Sequence, residues 1–126
     1  MKIMTTGLAG LAIGAFSATS ALADCSGGFG RGWASGKGNG AFEMQAADKA
    51  CTMGFTGFGG GNSERIPATE IRLTTAPKSG KLGVSAKGMV YTPNPGFKGK
   101  DKFCTRNTSA KVKGETLSGC VTVTVK

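Results

Sequence analysis

Apolar and polar residues alternate with a period of two through most of the second half of the chain. In residues 68–77, ATEIRLTTAP, Ile71 and Leu73 fall on one face while Glu70 and Arg72 fall on the other, the signature of a half-buried strand. Pro77–Gly80 reads as a turn, with proline presetting the backbone and glycine supplying a positive φ. The next segment, KLGVSA, sends Leu82 and Val84 inward; the chain turns at Ala86–Gly88, and MVYTP sends Met89 and Tyr91 inward. Pro93 and Pro95 end that strand, because proline cannot donate to a central ladder. In GFKGKDKFC, residues 96–104, Phe97 and Phe103 take odd positions and Lys98, Lys100 and Lys102 even ones, so rings and ammonium groups point to opposite faces. The closing VTVTV places Val121, Val123 and Val125 together. No helical period competes, and short strands divided by turns predict an all-β sandwich.

The first half is different. Residues 25–62 are dense in glycine, as in CSGGFGRGWASGKGNG, and glycine costs chain entropy while packing little, so much of this region is expected to be loop. Phe42 and Met44 alternate with polar neighbours and mark one short strand. The stretch GGFGRGW has the look of an arginine-glycine-aromatic segment that stacks on nucleic acid, but it carries a single arginine. The simpler expectation is a looped region held down by a disulfide.

Cysteine usage and the N-terminus bear on location. Lys2, an apolar stretch from about Gly7 to Phe16, and the small residues ending Ala21-Leu22-Ala23 have the layout of a secretory signal, with cleavage expected after Ala23. The apolar run is shorter than the roughly 20 residues that span a bilayer. A lipoprotein anchored through Cys25 is the rival, disfavoured because Asp24 stands where a small residue is wanted and because lipidation would leave an odd number of thiols. The expected location is periplasmic or secreted, with no transmembrane segment after cleavage. Residues 24–126 then form a single domain, with a glycine-rich part over 24–66 and a strand-rich part over 67–126.

The four cysteines, Cys25, Cys51, Cys104 and Cys120, read as two disulfides, for which count alone allows three pairings. Cys104 shares the lysine face and Cys120 the threonine face. On neighbouring strands both project outward and can meet, which favours Cys104–Cys120 and leaves Cys25–Cys51. Closing the segment between Cys104 and Cys120 is worth about 3 kcal/mol by chain entropy.

Several motifs in this half resemble the bacterial immunoglobulin-like, cadherin-like repeat. They are Pro77-Lys-Ser-Gly-Lys-Leu82, Gly88-Met-Val-Tyr-Thr-Pro93 and Pro95-Gly-Phe-Lys-Gly-Lys-Asp-Lys-Phe103, closed by the valine/threonine strand. The resemblance covers residues 67–126. It implies a Greek-key β-sandwich of the kind found in exported surface proteins, and no catalytic residue. The chain departs from the pattern in three ways. It carries one copy rather than an array; Thr105 takes the place of an aromatic, with Cys104 before it; and the acidic clusters that hold calcium between cadherin-type repeats are missing. Asp101 shares parity with the phenylalanines, which suits a hydrogen-bonding residue at a turn or strand end better than a ligand.

Charge and residue inventory narrow the chemistry. Histidine is absent, which excludes histidine triads and histidine metal sites, and no Cys-x-x-Cys or zinc-ligand spacing occurs. The acids are scattered, which argues against a paired-carboxylate hydrolase, and GFGGGN lacks the ending of a phosphate loop. No enzyme activity, small-molecule substrate, cofactor or metal is expected. The formal charge is +9, one less once Lys2 leaves with the signal, and a surplus of that size draws in anions. The expected function is a non-catalytic binding domain for an anionic envelope or extracellular macromolecule, polysaccharide or lipid head groups. Lys98, Lys100, Lys102 and Arg106 on one strand face are its candidate contacts, with Lys111 and Lys113 in the adjoining loop. Lysines on a strand also guard against edge-to-edge aggregation. The alternative is a structural envelope or surface-assembly component whose glycine-aromatic segment, residues 26–40, mediates assembly.

Overall fold

A computed structural model describes residues 25–59 and 65–126. The expected cleavage point after Ala23 and part of the GFGGGN stretch lie outside the described residues. The described chain is mostly β, with one 3₁₀ turn at Trp33–Ser35. Its strands are β1 (Ser26–Gly28), β2 (Gly38–Met44), β3 (Cys51–Gly54), β4 (Gly57–Phe58), β5 (Ile66–Pro67), β6 (Glu70–Thr75), β7 (Gly80–Ser85), β8 (Gly88–Pro93), β9 (Gly99–Thr108) and β10 (Leu117–Val125).

Five strands form the larger sheet in the order β1-β2-β10-β9-β6, three form a second in the order β3-β8-β7, and β4 and β5 make a small ribbon. The hairpin β9–β10 is central to the larger sheet. Its register pairs Phe103 with Val121, Asp101 with Val123 and Gly99 with Val125, so the valine face and the odd-numbered face of β9 look the same way. Tyr91 on β8 stacks on Phe103 across the interior at 6.4 Å between ring centroids, which brings the two sheets face to face over one core.

The glycine-rich region is more ordered than its composition suggests. β2 begins inside it and pairs in parallel with the last strand, matching Phe42 to Val123 and Met44 to Val125. Glycine makes this approach close: a Cβ on Gly119 would overlap the backbone of Gly38, and one on Gly38 would overlap the Trp33 indole. Expected loop is therefore sheet here, because backbone contact replaces side-chain packing. Phe29 meets Trp33 and Phe42 edge to face and fills that end of the core. The Trp33 Nε1–H donates to the Phe29 carbonyl at 2.6 Å.

Both disulfides are formed, Cys25–Cys51 and Cys104–Cys120. The first joins the residue leading into β1, at one edge of the larger sheet, to β3, at the edge of the smaller, and so closes one side of the molecule. On the other side, edge strands β6 and β7 are linked only by the short connection Ala76–Ser79. There the expectation that Leu73 and Val84 are buried fails. Each pairs with an inward-facing residue, Thr105 and Met89 respectively, yet Leu73 is 41% exposed and Val84 53%. Parity sets their direction correctly, but among the described residues no further strand lies beyond β6 or β7 to cover them.

Candidate functional site

β9 displays Lys100, Lys102, Cys104, Arg106 and Thr108 on the outer face of the larger sheet and buries Asp101, Phe103, Thr105 and Asn107 on the inner one. Cys104 and Cys120 are directly paired residues on the outer face, 3.9 Å apart at Cα, and stay half-buried. Beside them lies an open cleft of about 650 Å³ lined by Lys78, Lys100, Lys102, Thr75, Ser79 and Thr122, among others. A second depression shares Lys100 and Thr122 and continues over β10 and β2 toward Ser26.

Lys78 reaches this cleft because of Asp101. The aspartate is 5% exposed and points inward, where its Oδ1 accepts from the Lys78 N–H at 2.9 Å and its Oδ2 from the Ser79 N–H at 2.9 Å. Its own neighbour Lys102 donates a backbone N–H to Oδ1 at 3.0 Å, and the Tyr91 hydroxyl donates to Oδ2 at 2.7 Å. The connection from β6 to β7 is thereby clamped near the start of β9. Burial works to raise the Asp101 pKa, but the hydrogen bonds from Tyr91, Ser79, Lys78 and Lys102 outweigh it and hold the carboxyl below its ordinary value. Burial, followed by the bond to Asp101 and its charge, pushes the Tyr91 phenol well above its ordinary value. Asp101 is thus a structural anion: it lines the cleft, but its oxygens are taken up by the donors that position Lys78 and Ser79.

The other predicted cations fall elsewhere. Arg106 lies on the same face but directly opposite Arg72 on β6, beside Glu70 and Thr108 in a separate depression. Lys98 is exposed ahead of β9, and Lys111 and Lys113 are exposed in the loop between β9 and β10, away from the cleft. Lys78 and Arg72 are the cations that parity on one strand misses, since each arrives from β6 or its following turn. Among the described residues none of these cations has a carboxylate within ion-pair distance, whereas Lys126 pairs with Glu43 at 2.9 Å.

Three lysines and three hydroxyl residues in one lining supply donors that suit the oxygens of a phosphate, sulfate or carboxylate group. Among the described residues no three His, Cys, Asp or Glu side chains gather as a metal would require. Trp33 is buried and Phe29 half-buried against Trp33 and Phe42, so the rings of the glycine-aromatic segment pack on the core and offer no open stacking platform. No family model matches the chain, nor does any curated protein or solved structure.

Proposed function

We propose that the protein is an exported immunoglobulin-like domain that binds, without catalysis, an anionic polymer or head group of the envelope or extracellular space. The surface it uses is the outer face of the larger sheet. The fold part of this reading is supported by strand order. A first long strand running parallel to the last, then β10-β9-β6 opposed to β3-β8-β7, is the arrangement a Greek-key sandwich of that class takes. Two disulfides point to an oxidising location outside the cytoplasm, and among the described residues no helix is long and apolar enough to cross a membrane.

One observation carries the binding part: Lys78, Lys100 and Lys102 line a single cleft, and among the described residues none of them is ion-paired, since Asp101, the one carboxylate in the lining, is occupied by backbone N–H groups and the Tyr91 hydroxyl. Solvated lysines that merely guarded a strand would have no reason to be joined there by a third from another element, held by a buried aspartate. Assembly through residues 26–40 has less support, because the large aromatic ring of that segment, Trp33, is 6% exposed.

The test is a salt titration of binding to a soluble acidic polysaccharide and to vesicles of anionic lipid, with wild type and a Lys78→Gln/Lys100→Gln/Lys102→Gln variant. Binding that weakens linearly in log salt, with a slope shallower by about two to three in the variant, is the expected result. A variant that binds as tightly as wild type at every salt concentration rejects the site.

A further inference from the structure

We propose that β7 is a docking edge for an added strand from a partner protein, an extended segment in which apolar side chains alternate with acidic ones. The inference is independent of the lysine face and rests on the opposite sheet. That sheet has three strands against five in the larger one. On the β1 side the excess width is closed by the Cys25–Cys51 bridge and by Phe29 and Trp33. On the β6 side, among the described residues, no strand or disulfide closes it beyond the short Ala76–Ser79 connection, and Leu73 and Val84 face inward while remaining 41% and 53% exposed. A fourth strand beside β7 would occupy that gap and cover both.

β7 is the edge suited to receive one. Its pairing with β8 is regular over all six residues, whereas β6 carries a register shift against β9 where Cys104 and Thr105 meet Thr75 and Leu73. Of the usual protections of a sheet edge β7 has a single lysine, Lys81, but no bulge and no inward-pointing charge: its inward positions are Leu82 and Val84. An added strand gains main-chain hydrogen bonds along the edge and places every second side chain in the gap.

Charge selects the occupant. Lys81 stands on the outward side of β7, with Lys87 in the turn that follows it, both exposed, so the other side chains of the added strand meet cations. A second copy would bring the same positive edge against itself, in a chain whose formal charge is already +9. A strand of alternating valine- or leucine-like and glutamate- or aspartate-like residues satisfies both faces.

The disulfide-bonded protein is titrated with capped peptides of about seven residues, a usual strand length, one alternating valine with glutamate and one valine with lysine. The expected outcome is saturable binding of the acidic peptide, at least about tenfold tighter than the basic one, with new hydrogen-exchange protection confined to Gly80–Ser85. Val84→Lys aims a charge into the gap and weakens binding by about tenfold or more, with the melting temperature held, whereas Lys49→Gln, at an exposed lysine between β2 and β3, leaves it unchanged. The proposal is overturned by failure of the acidic peptide to bind, by equal affinity for both peptides, or by protection elsewhere. It is equally overturned by a wild-type dimer that Val84→Lys disperses, which would make a second copy the occupant.

Discussion

The Tyr91 hydroxyl donates to Asp101 Oδ2 at 2.7 Å across the interior, joining the smaller sheet to the larger at the point where the β6–β7 connection is anchored. The aspartate is surrounded by donors alone, so its removal leaves three backbone N–H groups and a phenol without their acceptor. Asp101→Ala is expected to cost about 3–5 kcal/mol and Tyr91→Phe about 1–2 kcal/mol. Asp101→Asn should fall between, since the amide keeps one acceptor oxygen but turns its NH₂ toward other donors. Chemical denaturation of the three variants checks the order, and each kcal/mol should lower the melting temperature by about 4–8 °C.

The same pair shapes the dependence of stability on pH. Asp101 has its pKa depressed in the folded state, so its contribution is complete above its ordinary value of 3.8 and is lost as pH falls toward the folded value. Tyr91 has its pKa raised, so its contribution is complete below its ordinary value of 10.0 and is lost progressively as pH climbs above that. Stability should therefore show a plateau between the two limits. Tyr91→Phe, measured by urea unfolding from pH 2 to 11, is expected to remove the Tyr91 share of the alkaline loss and make the acid loss shallower. A variant whose alkaline limb matches wild type would show that Tyr91 does not govern it.

Thr105 is buried with its hydroxyl unpartnered among the described residues, and it is the cross-strand neighbour of the half-covered Leu73. An unsatisfied buried hydroxyl costs about 1–3 kcal/mol, and valine has nearly the same shape without that cost. Thr105→Val should raise stability by about 1 kcal/mol in the same denaturation assay. Unchanged or lower stability would mean that the hydroxyl finds a partner in solution.

The two disulfides should differ in what they hold. Their chain-entropy contributions are similar, about 3–4 kcal/mol for separations of 16 and 26 residues. Cys104 and Cys120 already face each other in a nine-pair ladder, so Cys104→Ala/Cys120→Ala should lower stability and leave the native core in place. Cys25→Ala/Cys51→Ala removes the tie between two sheet edges and should also loosen the Phe29–Trp33–Phe42 cluster. A red shift of Trp33 fluorescence under native conditions in the second double variant, absent from the first, is the expected reading.

Parity along residues 96–104 carries most of what is legible about β9, because a period of two assigns every side chain to a face without knowledge of its neighbours. Parity also makes Cys104 and Cys120 outward residues, which is enough to let them meet once β9 and β10 adjoin. It cannot show how far a facing sheet extends, and so Leu73 and Val84 read as core although they stand at an open edge. Gly38 and Gly119 carry no side-chain pattern at all, so the parallel pairing they permit leaves no trace in hydrophobic periodicity. Lys78 is the most instructive miss. An aspartate at an inward position among lysines signals a buried acceptor in need of donors, and the nearest turn with free N–H groups is Pro77–Gly80, but local spacing does not say that the two meet.

Arg72 and Arg106 are direct cross-strand partners on the outer face, and like charges so placed repel by roughly 0.2–1 kcal/mol. Glu70 lies beside them, but its Oε1 accepts from the Thr108 hydroxyl at 3.1 Å, and among the described residues neither arginine has an ion pair. Arg72→Thr should therefore stabilise the protein by about 0.5 kcal/mol at low ionic strength, an advantage that fades as salt screens the repulsion. If the face binds polyanion as proposed, the sign reverses when ligand is present: an acidic polysaccharide should raise the melting temperature of wild type more than that of Arg72→Thr, because bound anion turns the repulsion into shared attraction. Melting curves in a grid of salt and polysaccharide concentrations separate the two effects. A crossover between the variants with ligand, and none without it, is the result that ties this pair to the function of the face.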